Sequence, residues 1–94
     1  GRALGGKMWW ERFGVAPVRP EEADAGWHRV DLTIRSLSLL ERALKGAAGA
    51  GAVGWWAGPW QPTQKGHQAT LSVYFAKRTH AKAFEANPPV SQRR

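Results

Sequence analysis

The sequence predicts an α+β fold in which two helices cover one face of a mostly antiparallel sheet. Three observations carry that expectation: strict apolar–polar alternation at 27–35 and again at 68–76, an apolar stripe at helical spacing between them, and a second short helical stretch after the later strand. At 94 residues the chain has room for one domain with a small core.

Residues 1–26 are expected to form an irregular N-terminal segment. Gly1–Lys7 is poor in anchoring side chains and reads as a tag remnant, a processed end or part of a longer protein, while Pro17, Pro20 and the acidic stretch Glu21–Asp24 interrupt any regular element. A rival reading makes residues 8–19 an extra edge strand or short helix. The compact domain is placed at 27–90. In Trp27–Arg35, Val30, Leu32 and Ile34 fall on one side and Asp31, Thr33 and Arg35 on the other, which is the period of a half-buried strand. Ser38 and Glu41 then read as a capping box opening a helix. Leu40, Ala43, Leu44, Ala47 and Ala48 supply its apolar stripe, and Gly49 and Gly51 its end. Val53–Trp60 predicts a second strand broken by Gly58-Pro59, followed by an exposed turn at Pro62–Gly66. Gln68–Ala76 predicts a third, with Ala69, Leu71, Val73 and Phe75 inward and Gln68, Thr70, Ser72 and Tyr74 outward. A second helix over Thr79–Ala86, capped by Thr79, is expected to press Ala83 and Phe84 onto the sheet. Pro88-Pro89 ends it, a last strand around Val90 is optional, and residues 91–94 form a basic tail. The order βαββα(β) is that of a ferredoxin-like sandwich.

Within this order, Leu32-Thr33-Ile34-Arg35-Ser36-Leu37 resembles the first-strand motif of RNA-recognition motif domains. Lys65-Gly66 with Val73-Tyr74-Phe75 resembles their third-strand motif. Such domains stack bases on aromatic rings of the outer sheet face. Here the ring positions carry Thr33, Thr70 and Ser72, so base stacking on the sheet is not expected and the chain is not assigned to that family.

Composition excludes several chemistries. With no cysteine there is no disulfide, thiolate metal site or cysteine nucleophile; that is compatible with a reducing compartment, and an intracellular location is the expectation, with no compartment assigned. No apolar run is long enough to span a membrane. His28, His67 and His80 are too far apart for a metal motif, and the acids Glu21, Glu22 and Asp24 read as a solvated loop rather than a Mg²⁺ site. His67 beside Lys65 is the one place for a general base of a basic ribonuclease, yet a loop histidine facing water is the plainer reading. Phosphate-loop, dinucleotide and nucleophile-elbow motifs are absent. The expectation is therefore a protein without catalytic residues, metal or cofactor.

Charge and tryptophan are the two anomalies. Residues 1–44 nearly balance, whereas Lys45, Lys65, Lys77, Arg78, Lys82, Arg93 and Arg94 face a lone Glu85 in the second half. A field of one sign attracts polyanions. Lys65, Lys77, Arg78, Lys82, Arg93 and Arg94 are the expected nucleic-acid contacts, made to backbone phosphates of RNA or DNA with little sequence preference. The expected role is a non-catalytic binding module or an accessory subunit of a ribonucleoprotein. Six tryptophans (Trp9, Trp10, Trp27, Trp55, Trp56 and Trp60) exceed what so small a core encloses easily. They support an alternative: a protein-binding adaptor or small phage-type inhibitor of a nucleic-acid-handling enzyme, meeting an acidic surface through Trp55, Trp56, Trp60 and Tyr74. Self-association through a sheet face or tryptophan patch is a further possibility.

Overall fold

The computed structural model describes residues 11 and 13–89. Its elements run β1 (His28–Ile34), α1 (Leu37–Gly49), β2 (Ala52–Ala57), β3 (Gln61–Thr63), β4 (Gly66–Phe75) and α2 (Arg78–Ala86). The result is an α+β protein with a four-stranded open antiparallel sheet and two helices. β4 lies in the middle, with β1 on one side and β2 followed by β3 on the other. Both β1 and β2 run antiparallel to β4, so α1 joins two strands of the same direction across the central one.

Alternation makes β1 and β4 partners. Val30, Leu32 and Ile34 face Val73, Leu71 and Ala69 across the ladder, and all six are buried. Leu40, Ala43, Leu44 and Ala47 of α1 and Ala81 and Phe84 of α2 close over them in a single apolar cluster. Phe75 and Phe84 meet with ring centroids 5.2 Å apart. Each large side chain enclosed in this way contributes about 1.5–3 kcal/mol of burial free energy. In α2 it is Ala81, not the expected Ala83, that turns inward beside Phe84, because 81 and 84 lie three apart on one helical face.

The start of α1 also departs from expectation. The N-cap is Ser36, whose Oγ accepts from the Leu39 N–H at 3.2 Å, while Ser38 lies inside the first turn with its hydroxyl 3.1 Å from that of Ser36. The helix closes where Gly51 takes φ +97°, a conformation an L side chain resists.

The strand predicted over Val53–Trp60 ends early, and a further short strand follows it. β2 carries a bulge at Val53, where pairing shifts between Ala52↔Phe75 and Gly54↔Tyr74, and it stops at Gly58-Pro59. The chain then forms β3, which the sequence reading assigned partly to a turn. Gln61, Pro62 and Thr63 pair with Gln68, His67 and Gly66, leaving Gln64-Lys65 as the hairpin tip. Thr63 secures that tip by donating its hydroxyl to the Gly66 carbonyl and accepting from the Lys65 N–H.

Of the N-terminal segment, Val15, Pro17 and Val18 are part of the folded body. Pro17 bridges to Trp55 in parallel sense, and the Val18 N–H donates to the Trp55 carbonyl at 2.8 Å. Val15 is buried. Gly54 permits the approach, since a Cβ there would come within 2.8 Å of Val18 Cγ2. After a 3-10 turn at Pro20–Glu22, the chain crosses from the β2 edge to the β1 edge, bringing Trp27 to 6.0 Å from the Tyr74 ring. Gly1–Trp10, Arg12 and the optional strand around Val90 with the basic tail lie outside the described residues.

Candidate nucleic-acid interface

Strand register brings together cations that the sequence keeps thirty residues apart. β1 and β4 pair as far as Ile34↔Ala69, so Arg35 and Gln68 come next in line. The β3–β4 hairpin carries Lys65 at its tip. Between them lies a groove of about 250 Å³ lined by Arg35, Thr63, Gln64, Lys65 and Gln68. Its lining supplies two cations, two amides and a hydroxyl, and no carboxylate. Phosphate oxygens accept from the guanidinium, ammonium and amide N–H groups, the Thr63 hydroxyl being already given to the Gly66 carbonyl, and an arginine can do so through two parallel N–H bonds.

Three other candidate cations gather elsewhere. Lys77 is the N-cap of α2 and Arg78 its first residue, with no side-chain cap and no acid in the first turn. Lys82 follows Arg78 by four positions and shares its face. All three are exposed. No ion pair within 4.0 Å ties Lys65, Lys77, Arg78 or Lys82 to an acid among the described residues. This cluster stands at the opposite end of β4 from Lys65, separated by ten residues of strand, roughly 33 Å. Thus the described candidates Lys65, Lys77, Arg78 and Lys82 fall in two places rather than one, and Lys45 lies apart from both on α1. Arg93 and Arg94 lie outside the described residues.

Between the patches the outer face of β1 and β4 carries polar side chains beside Tyr74. Asp31 accepts from the Ser72 hydroxyl at 2.9 Å and lies 3.3 Å from Arg29 Nε, so its charge is offset where it stands. Thr33 and Thr70 sit opposite each other further along.

The aromatic anchors divide. Trp55 is 6% exposed and Tyr74 4%, so neither presents a ring to a partner. Trp55 belongs to the core because its position on β2 pairs with Val73 and points to the helices. Tyr74 faces outward as alternation requires, with the Trp27 ring set against it. Its hydroxyl is buried with no hydrogen-bond partner among the described residues. Trp56 is half-buried under the Arg19 guanidinium, 5.7 Å from the ring centroid, leaving Trp60 at 38% exposure. The sequence reading missed Arg35, which counted there only as the polar side of a strand. Its proximity to Lys65 depends on how the hairpin folds back, for which no local signal exists.

His67 is exposed on β4, and no group of three or more His, Asp or Glu capable of holding a metal occurs among the described residues. Nor is any described helix long and apolar enough to cross a membrane. No protein family, curated protein or solved structure matches the chain.

Proposed function

We propose that the protein is a non-catalytic nucleic-acid-binding module that grips backbone phosphates and reads little sequence. The observation that carries this is the groove where Arg35 and Lys65 converge with Gln64, Gln68 and Thr63 and without an acid. The patch at Lys77, Arg78 and Lys82 supports a second phosphate contact. Cations at a helix start oppose the helix dipole, so they weaken α2 unless an anion is there to offset them. The small residues Thr33, Thr70 and Ser72 on the outer face favour contact through phosphate and sugar over base stacking. A ferredoxin-like arrangement is the finer reading of the fold. It is supported by β4 lying between two strands of like direction that α1 connects, with β3 as an added short strand where Pro59 breaks the second.

The test is fluorescence anisotropy with labelled single-stranded and duplex oligonucleotides across a salt series. The proposal expects binding at low salt that weakens steeply as salt rises, with similar affinity for unrelated sequences. Absence of any complex at low salt ends it. The adaptor reading draws on Trp60 and the 61% exposed Leu37, two large apolar side chains turned to water. It expects a protein complex that resists both nuclease and salt.

A further inference from the structure

Between β2 and β3 the chain gains a residue on β4. Ala57 pairs with Leu71 and Gln61 with Gln68; between these pairs lie Gly58, Pro59 and Trp60 on one strand and Thr70 and Ala69 on the other. The Gly58 N–H donates to the Thr70 carbonyl at 3.0 Å, so Pro59 and Trp60 together stand against Ala69 as a bulge. Residues opposed across a ladder share a face. Gly58 and Gln61 therefore lie with Thr70 and Gln68 on the outer face, while Ala69 is buried on the core side.

The bulge borders a slot of about 190 Å³ lined by Gly58, Pro59, Gln61, Gln68, Ala69 and Thr70. Glycine at 58 keeps this space open without being required by the backbone. Its φ is not positive, and a Cβ there would meet nothing nearer than the Thr70 carbonyl oxygen at 3.9 Å. Pro59 and Ala69 give the slot apolar surface, and Gln61, Gln68 and Thr70 give it polar groups. Gln68 also lines the groove that holds Arg35 and Lys65, so the uncharged slot and the cationic groove adjoin.

We propose that the slot receives a base of single-stranded nucleic acid whose neighbouring phosphate lies at Arg35 and Lys65. The inference rests on the phosphate-binding reading above. A base has apolar faces and a polar edge, and the slot offers surface of both kinds. Such an edge is available where the base is unpaired and turned out of its stack, which a single strand permits and a duplex does not. The Gln61 and Gln68 amides each carry N–H donors and a carbonyl acceptor, and either can turn over to suit a different base. The slot thus selects an unpaired strand while reading little of its sequence.

Fluorescence anisotropy of the full chain at one low salt concentration tests this with three labelled ligands: a mixed-sequence single strand, an abasic strand of the same length and charge, and a duplex. The base-bearing strand is expected to bind on the order of tenfold more tightly than the other two. Gly58→Val fills the slot, and Gln61→Ala alters a residue that lines the slot but not the groove. Each is expected to close most of the gap between base-bearing and abasic strands, with far-UV circular dichroism as the check on folding. Lys65→Gln weakens binding of both strands and leaves the gap. A wild type that binds none of the three ligands removes the phosphate-binding reading and this proposal with it. Equal affinity for base-bearing and abasic strands, or a duplex bound as tightly as the single strand, overturns the slot alone. So does a gap that both folded slot variants leave intact.

Discussion

The Trp55 indole N–H donates to the Val15 carbonyl at 3.0 Å, forty residues away in sequence and buried at both ends. This bond fixes the N-terminal segment to the core and satisfies the one polar atom that a tryptophan carries inside. Trp55→Phe retains most of the apolar burial but strands the carbonyl, at a cost of about 1–3 kcal/mol. Trp55→Ala adds a cavity and costs about 3–5 kcal/mol. Urea unfolding should show both losses as a lower midpoint with the slope unchanged.

Gly54 and Val18 form a second link between the same elements. A Cβ at 54 would lie 2.8 Å from Val18 Cγ2, so Gly54→Ala forces the segment off the β2 edge and destabilises by about 1–3 kcal/mol. Val18→Ala removes that obstacle. In a double-mutant cycle by chemical denaturation, the pair should therefore lose less than the sum of the single changes.

The two serines at the start of α1 give a test of the cap. Ser36→Ala removes the acceptor for the Leu39 amide and is expected to cost about 1 kcal/mol. Ser38→Ala, inside the helix, is expected to change stability by less than about 0.5 kcal/mol. Thermal unfolding of the two variants side by side distinguishes them.

Tyr74 carries its hydroxyl into a buried position with no partner among the described residues. Tyr74→Phe keeps the contact with Trp27 and removes the unpaired group, so stability should stay level or rise by about 1 kcal/mol. Differential scanning calorimetry reads this directly, and a marked fall in Tm would show that the hydroxyl is bonded.

Elements with repeated pattern were legible in the sequence. The alternation from Trp27 to Arg35 gave β1 to within a residue at each end, and the stripe Leu40–Ala47 gave the buried face of α1. β3 was not legible, because Pro62 argues against a strand. Its tolerance comes from register: Gln61↔Gln68 and Thr63↔Gly66 carry the ladder bonds, so the donor that Pro62 lacks would face away from β4. The cap was misassigned because Ser36 and Ser38 are both good N-cap residues, and only the backbone of Ser36 is extended. As for the site, Lys65, Lys77, Arg78 and Lys82 were read as exposed cations, and they are. Their division between opposite ends of β4, and the placing of Lys65 and Arg35 on one groove, follow from long-range strand order, which composition does not encode.

The central claim is that Arg35 and Lys65 hold phosphate, and the salt dependence of binding tests it most directly. For a single-stranded oligonucleotide, the slope of log K against log salt reports released counterions, about 0.7 for each phosphate neutralised. Arg35→Gln and Lys65→Gln are each expected to weaken binding and to reduce the slope by about that amount, while Lys45→Gln leaves it unchanged. Slopes and affinities in both groove variants equal to those of the wild type would contradict the account.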